Sequence, residues 1–385
     1  MAPLRVFVEG TPLFRQRTGV GQYTKNLLEA LFRLDQENTY TIFSFALLGH
    51  GAKARPIPET PRLGYRFIKY AHLKMFNAVV RKVTAPPIDL MLGSRPDLFL
   101  FPNFVRYPLP LGSRAIPIIY DLSFVLHPEH VARRNRQFLT RYVPLTIEKS
   151  EHIVTISENS KREIVEYYGT DPAKISIVSP AIDHSVFHPR PANEIAAVAG
   201  KYGIAKPYIL YTGTLEPRKN IRSILDAYEK LPEHVRTSYS LVLAGGKGWL
   251  DESIKNRLDE LKHLDIITTG YVPDEDLPAL YSGASVFVYP SLYEGYGMPP
   301  LEAMACNTPV IVANNSSLPE VVGDAGLLVD ALDVDSLAQY IEKVLGDPAL
   351  AGELRRRGLA RAKASNWEES ARRLLAVISE VGARR

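Results

Sequence analysis

The sequence is poor in cysteine, with only Cys306 in 385 residues. One thiol cannot form an intramolecular disulfide, so a disulfide-stabilised secreted fold is excluded and a reducing compartment is favoured. No stretch approaches the roughly 18 uninterrupted apolar residues of a transmembrane helix, and the N-terminus lacks the basic and apolar segments of a signal peptide. We therefore expect a cytoplasmic protein without a membrane span.

The sequence also lacks short internal repeats and low-complexity tracts. Its 46% hydrophobic and 23% charged residues are typical of a globular protein, and its length favours two domains. Prolines at 180, 189 and 191 indicate a linker, so we predict domains over residues 1–188 and 189–365. We expect the last segment, residues 366–385, to be a helix that crosses back to the first domain.

Short apolar runs alternate with helical patterns through both halves of the chain. Apolar runs that end in a polar residue, as at Asp121, are typical of buried parallel strands with functional groups at their carboxyl ends. A second alternating series begins at Tyr208. The sequence therefore predicts an α/β fold of two Rossmann-like, doubly wound domains that face each other across a deep cleft, a common location for ligand sites.

The most informative stretch is residues 289–306. A β-rich run stops at Pro290, two glycines flank Tyr296, and paired prolines open a helical run. This order predicts a strand, a tight loop and a helix start, whose backbone N–H groups suit phosphate or clustered hydroxyls. Glu294 and Glu302 place a carboxylate on either side of that loop.

A second candidate site follows the strand predicted at Tyr208. Gly213 provides a turn after this strand, and Arg218 and Lys219 stand just before the next helix. Two cations, backbone donors and the helix dipole then converge on one place. We therefore predict that this loop binds phosphate.

Other strand ends supply weaker candidates. Gly245 and Gly246 would let a flat ring or a ribose come close. Gly19 and Gly21 stand between the first strand and its helix, where they indicate either close backbone approach to an anion or a plain helix start. Asp121 is a site candidate by its position, with capping of the following turn as the alternative.

One motif resembles a metal site. Asp333-Val334-Asp335 matches the acid pair by which some sugar-transferring enzymes hold a divalent cation. The motif stands at the start of a predicted helix, where aspartates serve as caps and dipole partners. We therefore predict capping and expect no metal.

The net charge of +4 is unevenly distributed: residues 1–188 hold 24 Lys and Arg against 16 Asp and Glu, and the remainder holds 22 against 26. Basic residues interleave with aromatics at roughly helical spacing over residues 62–82, which suits an anionic membrane surface. A solvated amphipathic helix packed on its own domain is the alternative, and no motif indicates nucleic acid. The basic residues concerned are Arg62, Arg66, Lys69, Lys74, Arg81 and Lys82, with a second group at Arg133, Arg134, Arg136 and Arg141.

Taken together, these motifs resemble the retaining GT-B glycosyltransferases of family 4, and within it bacterial mannosyltransferases that build O-antigen, capsule or exopolysaccharide. The resemblance implies a nucleotide-sugar donor bound mainly by the C-terminal domain. It also implies a glycan or polyprenyl-diphosphate-linked acceptor bound mainly by the N-terminal domain, and transfer with retention. The residues that carry it are Glu294-Gly295-Tyr296-Gly297 through Glu302, the loop Gly213 to Asn220, the segment Asn314 to Val321, and Gly19-Val20-Gly21.

The resemblance also assigns roles to the charged candidates. Arg218 and Lys219 would bind the donor diphosphate and stabilise the departing nucleoside diphosphate without a metal or other cofactor. Glu302 would accept hydrogen bonds from the ribose hydroxyls. Glu294 would contact the hydroxyls of the donor sugar as an orienting and electrostatic residue, while the leaving phosphate takes the acceptor proton.

Backbone groups complete the implied site. The N–H groups of Tyr296, Gly297 and Met298 would reach the sugar and the phosphate. Gly19 and Gly21 would let the N-terminal loop close on the diphosphate or on the incoming acceptor.

The sequence departs from the family at one position. Many relatives carry a histidine immediately before the aspartate that ends the strand, whereas this chain has Tyr120 before Asp121. A phenol can donate a hydrogen bond to a sugar hydroxyl, but with a pKa of about 10 it is a poor general base. A histidine base is therefore not expected here.

The resemblance favours GDP-mannose as donor and attachment to the inner face of the cytoplasmic membrane through residues 62–82. Two other readings stay open. One is a GT-B-fold enzyme that uses a UDP- or ADP-sugar with a small soluble acceptor. The other is a nucleotide-sugar-binding protein without catalytic activity.

Overall fold

The computed structural model describes residues 3–14, 19–46, 55–69, 88, 92–110, 112–246 and 252–384. The chain forms two compact units, Met1–Pro180 with Trp367–Arg385, and Ala181–Asn366. The predicted boundary at 188 therefore comes too late. Ile182 pairs with Asn366 and is buried in the core of the second unit, which fixes the start of that unit ahead of residue 188.

The first unit is built on a parallel five-stranded sheet in the order β3-β2-β1-β4-β5. A parallel two-stranded ladder, β6-β7, adjoins it through a bridge between Ile118 and Val154. The run predicted as one strand to Asp121 is thus divided, because only its first part pairs with β4. The strands are β1 (Arg5–Glu9), β2 (Thr39–Ala46), β3 (Leu63–Lys69), β4 (Leu98–Phe101), β5 (Arg114–Pro117), β6 (Ile153–Thr155) and β7 (Ile175–Ile177).

Helices of this unit follow the predicted pattern. The N-cap of the fourth helix is Ser157, whose Oγ accepts from the Ser160 N–H at 3.0 Å. The terminal helix Trp367–Ala383 belongs to this unit, and the Trp367 ring lies 5.7 Å from that of Tyr23. The others are α1 (Gly19–Leu34), α2 (Ser123–Leu126), α3 (Arg133–Glu148) and α4 (Glu158–Tyr168), with 3₁₀ turns at Thr11–Phe14, Pro128–His130 and Pro172–Lys174.

Two predictions about local structure in this unit have different outcomes. Gly19 and Gly21 lie inside the first turn of α1, which agrees with the alternative of a plain helix start. Helical spacing is wrong for Leu63–Lys69, which is a strand. Tyr65 and Phe67 alternate with Arg66, as a strand with two different faces requires, and their stacked rings lie 6.1 Å apart.

The second unit is a parallel six-stranded sheet in the order β10-β9-β8-β11-β12-β13. Counted from β8, this is the order 3-2-1-4-5-6 of doubly wound nucleotide-binding sheets, whose ligands bind beyond the carboxyl ends of the strands. The strands are β8 (Tyr208–Thr212), β9 (Ser240–Ala244), β10 (Ile266–Gly270), β11 (Val286–Tyr289), β12 (Val310–Ala313) and β13 (Leu327–Val329).

The central strands of this sheet are buried on both faces. Every residue of β8, β9, β11 and β12 is buried, which is why they read as continuous apolar runs instead of alternating ones. The covering helices are α5 (Ala192–Lys201), α6 (Ile221–Lys230), α7 (Glu233–Ser238), α8 (Glu252–Glu260), α9 (Leu277–Gly283), α10 (Met298–Ala305), α11 (Leu318–Val322), α12 (Val334–Gly346) and α13 (Pro348–Ala364), with 3₁₀ turns at Pro217–Lys219 and Gly323–Ala325. Within the described residues, no helix is long and apolar enough to cross a bilayer.

Asn220 ties three loops of this unit together. It stands between the 3₁₀ turn and α6 in a left-handed conformation, with φ of 56°. Its buried Nδ2 donates to the carbonyl oxygens of Pro290, at 3.0 Å, and Ala331, at 2.6 Å, while Oδ1 accepts from Ser223 Oγ at 2.8 Å. The side-chain amide of Asn220 therefore links the loops that follow β8, β11 and β13.

We predict that Asn220→Ala lowers the free energy of unfolding by about 4 kcal/mol, because three buried hydrogen bonds are lost at about 1 kcal/mol each and a left-handed alanine costs about 1 kcal/mol more. Asn220→Gly keeps the backbone conformation and should cost about 3 kcal/mol by the same accounting. Urea unfolding of both variants measures the difference. Equal stability of the native chain and Asn220→Ala would contradict the role of this amide.

Candidate active site

The loops that follow β8 and β11 meet at the carboxyl edge of the second sheet, because these strands are neighbours. The loop after β8 carries Arg218 and Lys219, and the loop after β11 carries Glu294. The structure thus brings three of the predicted site residues into direct contact, although they stand far apart in the sequence.

The Glu294 carboxylate is the centre of this cluster. Its Oε1 accepts from Lys219 Nζ at 2.5 Å, Ser291 Oγ at 2.7 Å and Tyr289 Oη at 2.9 Å. Its Oε2 lies 3.0 Å from Arg218 Nη1. Both oxygens of a buried carboxylate are therefore satisfied, one by a lysine with two hydroxyls and the other by a guanidinium.

Charges in the cluster determine its protonation states. Burial alone would raise the pKa of Glu294, but Lys219 and Arg218 outweigh burial and lower the pKa to about 2. Burial lowers the pKa of Lys219, and the adjacent Glu294 carboxylate opposes this shift. Burial also raises the pKa of Tyr289, which stays a phenol. At neutral pH Glu294 is thus a carboxylate that cannot act as a proton donor.

Both cations are already engaged in the free protein. Arg218 donates from Nε and Nη2 to Glu216 Oε1, at 3.1 and 2.8 Å, and from Nη1 to the Tyr293 carbonyl at 2.7 Å. Lys219 Nζ also donates to Tyr289 Oη at 2.6 Å. Two cations and two carboxylates balance, so Glu216 and Glu294 neutralise the charge of this loop in the free protein, and phosphate binding by Arg218 and Lys219 stays a prediction.

The loop between β11 and α10 has the predicted shape with fewer backbone donors than expected. Gly297 has φ of 104° and stands just before α10, which begins at Met298. Pro299 and Pro300 follow, and proline has no N–H group. Of the first three residues of α10, only Met298 therefore carries a backbone N–H group, and the predicted Tyr296 and Gly297 lie in the loop before it.

Two serines that the sequence reasoning did not single out hold this loop in place. Ser316 Oγ accepts from the Glu294 N–H at 3.0 Å. Ser317 Oγ lies 2.9 Å from the Glu294 carbonyl oxygen and 2.6 Å from that of Tyr296. Both serines belong to the segment Asn314 to Val321. The sequence motif therefore indicated this segment but not its contacts with the Glu294 loop.

Glu302 lies in the second turn of α10. Its Oε2 accepts from Tyr281 Oη at 2.9 Å, and Tyr281 Oη lies 2.6 Å from Thr212 Oγ1. Burial raises the pKa of Glu302 to about 7, since the single phenol donor only partly opposes the loss of hydration. Tyr281 is a further residue that the sequence reasoning missed.

Glycines at the ends of β8 and β9 approach each other closely. A Cβ on Gly245 would lie 1.8 Å from the Gly213 carbonyl oxygen, and Gly213 has φ of 138°. The loop after β9 packs so closely on the loop after β8 that only glycine fits at position 245. The prediction had attributed this glycine to the approach of a ligand. Among the described residues, no atom lies within 4 Å of a Cβ built on Gly246.

The candidate site residues Tyr120 and Asp121 of the first unit already have hydrogen-bond partners within the protein. Tyr120 is buried, and its Oη donates to the Pro102 carbonyl oxygen at 2.9 Å. The predicted hydrogen bond from this phenol to a sugar hydroxyl is therefore not available. Asp121 Oδ1 accepts from the N–H of Ser123 at 2.9 Å and from its Oγ at 2.7 Å, which is the capping alternative.

The remaining candidates are settled by local contacts. Asp333 Oδ1 accepts from the Ser336 N–H at 3.0 Å as the N-cap of α12, so capping is confirmed for this motif. Arg62 and Arg66 are exposed, but Arg66 Nη1 also bonds the Leu92 carbonyl and, at 3.1 Å, Ser94 Oγ. Lys74, Arg81 and Lys82, together with the Lys69 side chain, lie outside the described residues.

The raised pKa of Glu302 gives a pH-dependent stability. Its ordinary pKa is 4.5 and its pKa in the folded chain is about 7, so folding favours the protonated carboxyl. The stability it contributes is fully present below about pH 4.5 and is lost as pH rises through 7. Relative to Glu302→Gln, we expect the native chain to lose about 2 kcal/mol between mildly acidic and mildly alkaline pH.

Urea unfolding of the two proteins at about pH 5 and about pH 8.5 measures this difference. Glu342→Gln, at an exposed position of α12, is the matched control. A constant difference between native chain and Glu302→Gln at both pH values would contradict the assignment.

Comparisons with known proteins extend over both halves of the chain. Residues 199–364 match the glycosyl transferases group 1, and residues 17–186 match glycosyltransferase family 4. O-antigen chain mannosyltransferase B of Escherichia coli is 40% identical over 257 residues, which is 66% of this chain and 67% of that protein. Serotype-specific mannosyltransferase WbdA of Escherichia coli is 34% identical over 236 residues, 58% of this chain but only 28% of that protein.

Solved structures share the fold. Sucrose-phosphate synthase from Thermosynechococcus elongatus superposes with a TM-score of 0.73 at 21% identity and covers 100% of both chains. Anabaena HepE in complex with UDP and glucose gives 0.72 at 14% identity, over 98% of this chain and 100% of that one. The predicted α/β, GT-B fold class is confirmed. With the family matches in both halves and the 40% identical relative, the chain belongs to glycosyltransferase family 4.

Proposed function

We propose that the chain is a retaining mannosyltransferase that moves mannose from GDP-mannose to a glycan or polyprenyl-diphosphate-linked oligosaccharide in O-antigen or related polysaccharide synthesis. The names of the relatives support mannosyl transfer and O-antigen synthesis. The observation that carries the proposal is the buried Glu294 carboxylate held between Lys219 and Arg218 at the ends of two neighbouring strands.

The donor diphosphate is proposed to bind Arg218 and Lys219. Four of the five guanidinium N–H groups of Arg218 are used by Glu216, Tyr293 and Glu294, and two of the three on Lys219 by Tyr289 and Glu294. With respect to the described residues, each cation thus keeps one donor for a phosphate oxygen. The existing bonds fix both side chains, so little reorganisation is needed when charge develops on the leaving group.

Glu294 is proposed to orient the donor sugar and to stabilise positive charge near the anomeric carbon. With a pKa of about 2 it is ionised at neutral pH and has no proton to donate. Its place between two cations weakens it as a nucleophile, because forming a bond from the carboxylate would give up these contacts. The acceptor hydroxyl then loses its proton to the leaving phosphate.

Glu302 is proposed to bind the ribose. Its carboxyl has one described protein donor, Tyr281 Oη, so ribose hydroxyls can donate to the oxygen positions left over. Such bonds favour the ionised form and should lower its pKa from about 7 when the donor binds. Ribose recognition and deprotonation of this buried carboxyl are therefore coupled.

The acceptor and the location of the enzyme belong to the same proposal. The acceptor is proposed to bind the first unit, where Gly19, Gly21 and Asp121 remain candidates and the buried Tyr120 does not. A lipid-linked acceptor requires work at a membrane, so peripheral attachment to the inner face of the cytoplasmic membrane is part of the proposal. No nucleic acid or metal is required.

The donor nucleotide is best tested by thermal shift with GDP, GDP-mannose, UDP and ADP. A ligand present at 100 times its Kd stabilises the chain by about 2.7 kcal/mol. We expect the guanine nucleotides to raise the melting temperature more than the others at equal concentration. A larger shift with UDP, the nucleotide in the HepE complex, would replace the donor and leave the enzyme class intact.

Catalytic roles are tested by single substitutions. We predict that Glu294→Ala, Lys219→Ala and Glu302→Ala each lower turnover by at least about tenfold, as loss of charged contacts to a transition state commonly does. The readout is mannosyl transfer from GDP-mannose at saturating acceptor. Glu342→Ala and Lys343→Ala on exposed turns of α12 are charge-matched controls. Near-normal transfer by all three site variants would overturn the assignment.

A further inference from the structure

Two histidines and a glutamate meet at the 3₁₀ turn Pro128–His130, which joins α2 to α3 in the first unit. His127 directly precedes the turn, and Glu129 and His130 belong to it. The His130 N–H donates to the His127 carbonyl oxygen at 3.0 Å and so closes the turn. Because a 3₁₀ helix has three residues per turn, side chains three positions apart lie on the same side. The backbone itself therefore brings the two imidazoles together.

The potential ligand atoms of these three side chains converge on one point. The imidazole rings of His127 and His130 lie 6.0 Å apart, with 23° between their planes. Glu129 Oε1 lies 3.3 Å from His130 Nε2 and 3.8 Å from His127 Nδ1. The three atoms all lie within 4.8 Å of one another, and no other group of three His, Cys, Asp or Glu side chains in the described part of the chain converges in this way.

The separations agree with those of a zinc site. Zinc binds imidazole nitrogen at about 2.0–2.1 Å and carboxylate oxygen at about 2.0–2.2 Å in a tetrahedral arrangement, so two of its ligand atoms lie about 3.4 Å apart. The two distances from Glu129 Oε1, 3.3 and 3.8 Å, bracket that value. The Glu129 side chain is 61% exposed, so it is able to move by the few tenths of an ångström that the longer distance requires.

The donor set selects among cations. Imidazole nitrogens suit zinc and other late transition metals, whereas Mg²⁺ and Ca²⁺ prefer oxygen ligands. Two histidines and one glutamate form a set that holds zinc with a fourth position open to water. The side chains of His127 and Glu129 are 35% and 61% exposed, so water is able to reach that position.

The turn that carries the ligands is held at both ends. The His127 N–H donates to the Ser123 carbonyl oxygen of α2 at 2.9 Å, and the Pro128 carbonyl oxygen accepts from Arg136 Nη1 of α3 at 3.3 Å. Ligands on a backbone that is already fixed lose less freedom when they bind. The Arg136 guanidinium also places a positive charge near the turn, so we expect weaker binding than at a closed site with four protein ligands.

We propose that His127, Glu129 and His130 bind a zinc ion. The ligand atoms are His127 Nδ1, His130 Nε2 and a carboxylate oxygen of Glu129, with water in the fourth position. The ion links the three side chains and stabilises the turn between α2 and α3. This site belongs to the first unit, whereas the candidate donor site belongs to the second, and the proposed sugar transfer does not use the ion.

A cluster that binds only protons is the alternative. The same atoms form a histidine–glutamate ion pair when an imidazole is protonated, and a metal ion takes the place of the shared proton when the imidazoles are neutral. The two alternatives differ in one measurable property, which is the binding of zinc by this turn.

The experiment is a titration of the full chain, freed of metal and without a polyhistidine tag, with Co²⁺ and then with Zn²⁺. We expect one Co²⁺ to bind per chain with the strong visible absorption of a four-coordinate site. Zn²⁺ should displace it, because zinc binds nitrogen and oxygen ligands more tightly than cobalt does. Excess Mg²⁺ should not displace it. Zn²⁺ should also raise the melting temperature of the native chain.

Single substitutions assign the ligands. His127→Gln, Glu129→Gln and His130→Gln should each lower the affinity for Zn²⁺ by at least about tenfold, which is the loss seen even when a residue that only supports a metal ligand is changed. His130 is the least exposed of the three, at 11%, so His127→Gln is the variant that disturbs folding least. Melting temperatures without metal show whether each variant is folded.

A matched control separates this turn from histidines in general. His234→Gln with His263→Gln removes two imidazoles from exposed positions of the second unit. This variant should bind Co²⁺ and Zn²⁺ like the native chain.

Three results would overturn the proposal. The first is a native chain that binds neither Co²⁺ nor Zn²⁺, which leaves the ion pair as the only role of the cluster. The second is unchanged Zn²⁺ affinity in the folded His127→Gln variant, and the third is an equal loss in the control variant. The titration measures metal binding alone, so it decides this inference whether or not the chain transfers mannose.

Discussion

The candidate site depends on one buried carboxylate, Glu294, held between Lys219 and Arg218. An isolated charge would be strongly unfavourable in this place, and removing one partner of a buried pair typically costs 3–5 kcal/mol because the other charge stays behind. The cluster therefore needs β8 and β11 as direct neighbours and Asn220 to hold their loops together. The order of the strands thus determines whether the three charged side chains can meet, because Lys219 and Arg218 follow β8 and Glu294 follows β11.

Glu294 and Glu302 have very different pKa values because their surroundings differ. Cations bring the pKa of Glu294 to about 2, while burial beside a single phenol raises that of Glu302 to about 7. The first is a permanent negative charge suited to orientation and electrostatic stabilisation. The second changes charge near physiological pH and can respond to the hydroxyls of a ligand. An acid/base pair of the glycosidase kind would need the two carboxyls to face one reaction centre, whereas each here has its own set of partners.

The candidate site was predicted from the sequence by the rule that ligands bind beyond the carboxyl ends of parallel strands. Arg218, Lys219 and Glu294 follow from that rule and from the loop signals beside them. Their mutual pairing could not be foreseen, because it depends on which strands are neighbours, and local patterns do not give strand order. Ser317 was missed for the same reason, since its partners come from another loop. The error at β3 was avoidable: aromatics alternate with Arg66 there, and period two indicates a strand.

The net charge of the second unit affects both donor binding and the rate of the proposed transfer. This unit is net acidic, with 18 Lys and Arg against 24 Asp and Glu over residues 181–366, so its net charge does not attract a diphosphate. Attraction must come from Arg218 and Lys219, and Glu216 and Glu294 already neutralise them in the free protein. Neutralisation weakens the pull on the donor, but it fixes both cations before the donor arrives. Because catalysis depends on interactions that strengthen as charge develops on the leaving group, fixed cations of moderate affinity serve turnover better than free cations that bind donor and product tightly.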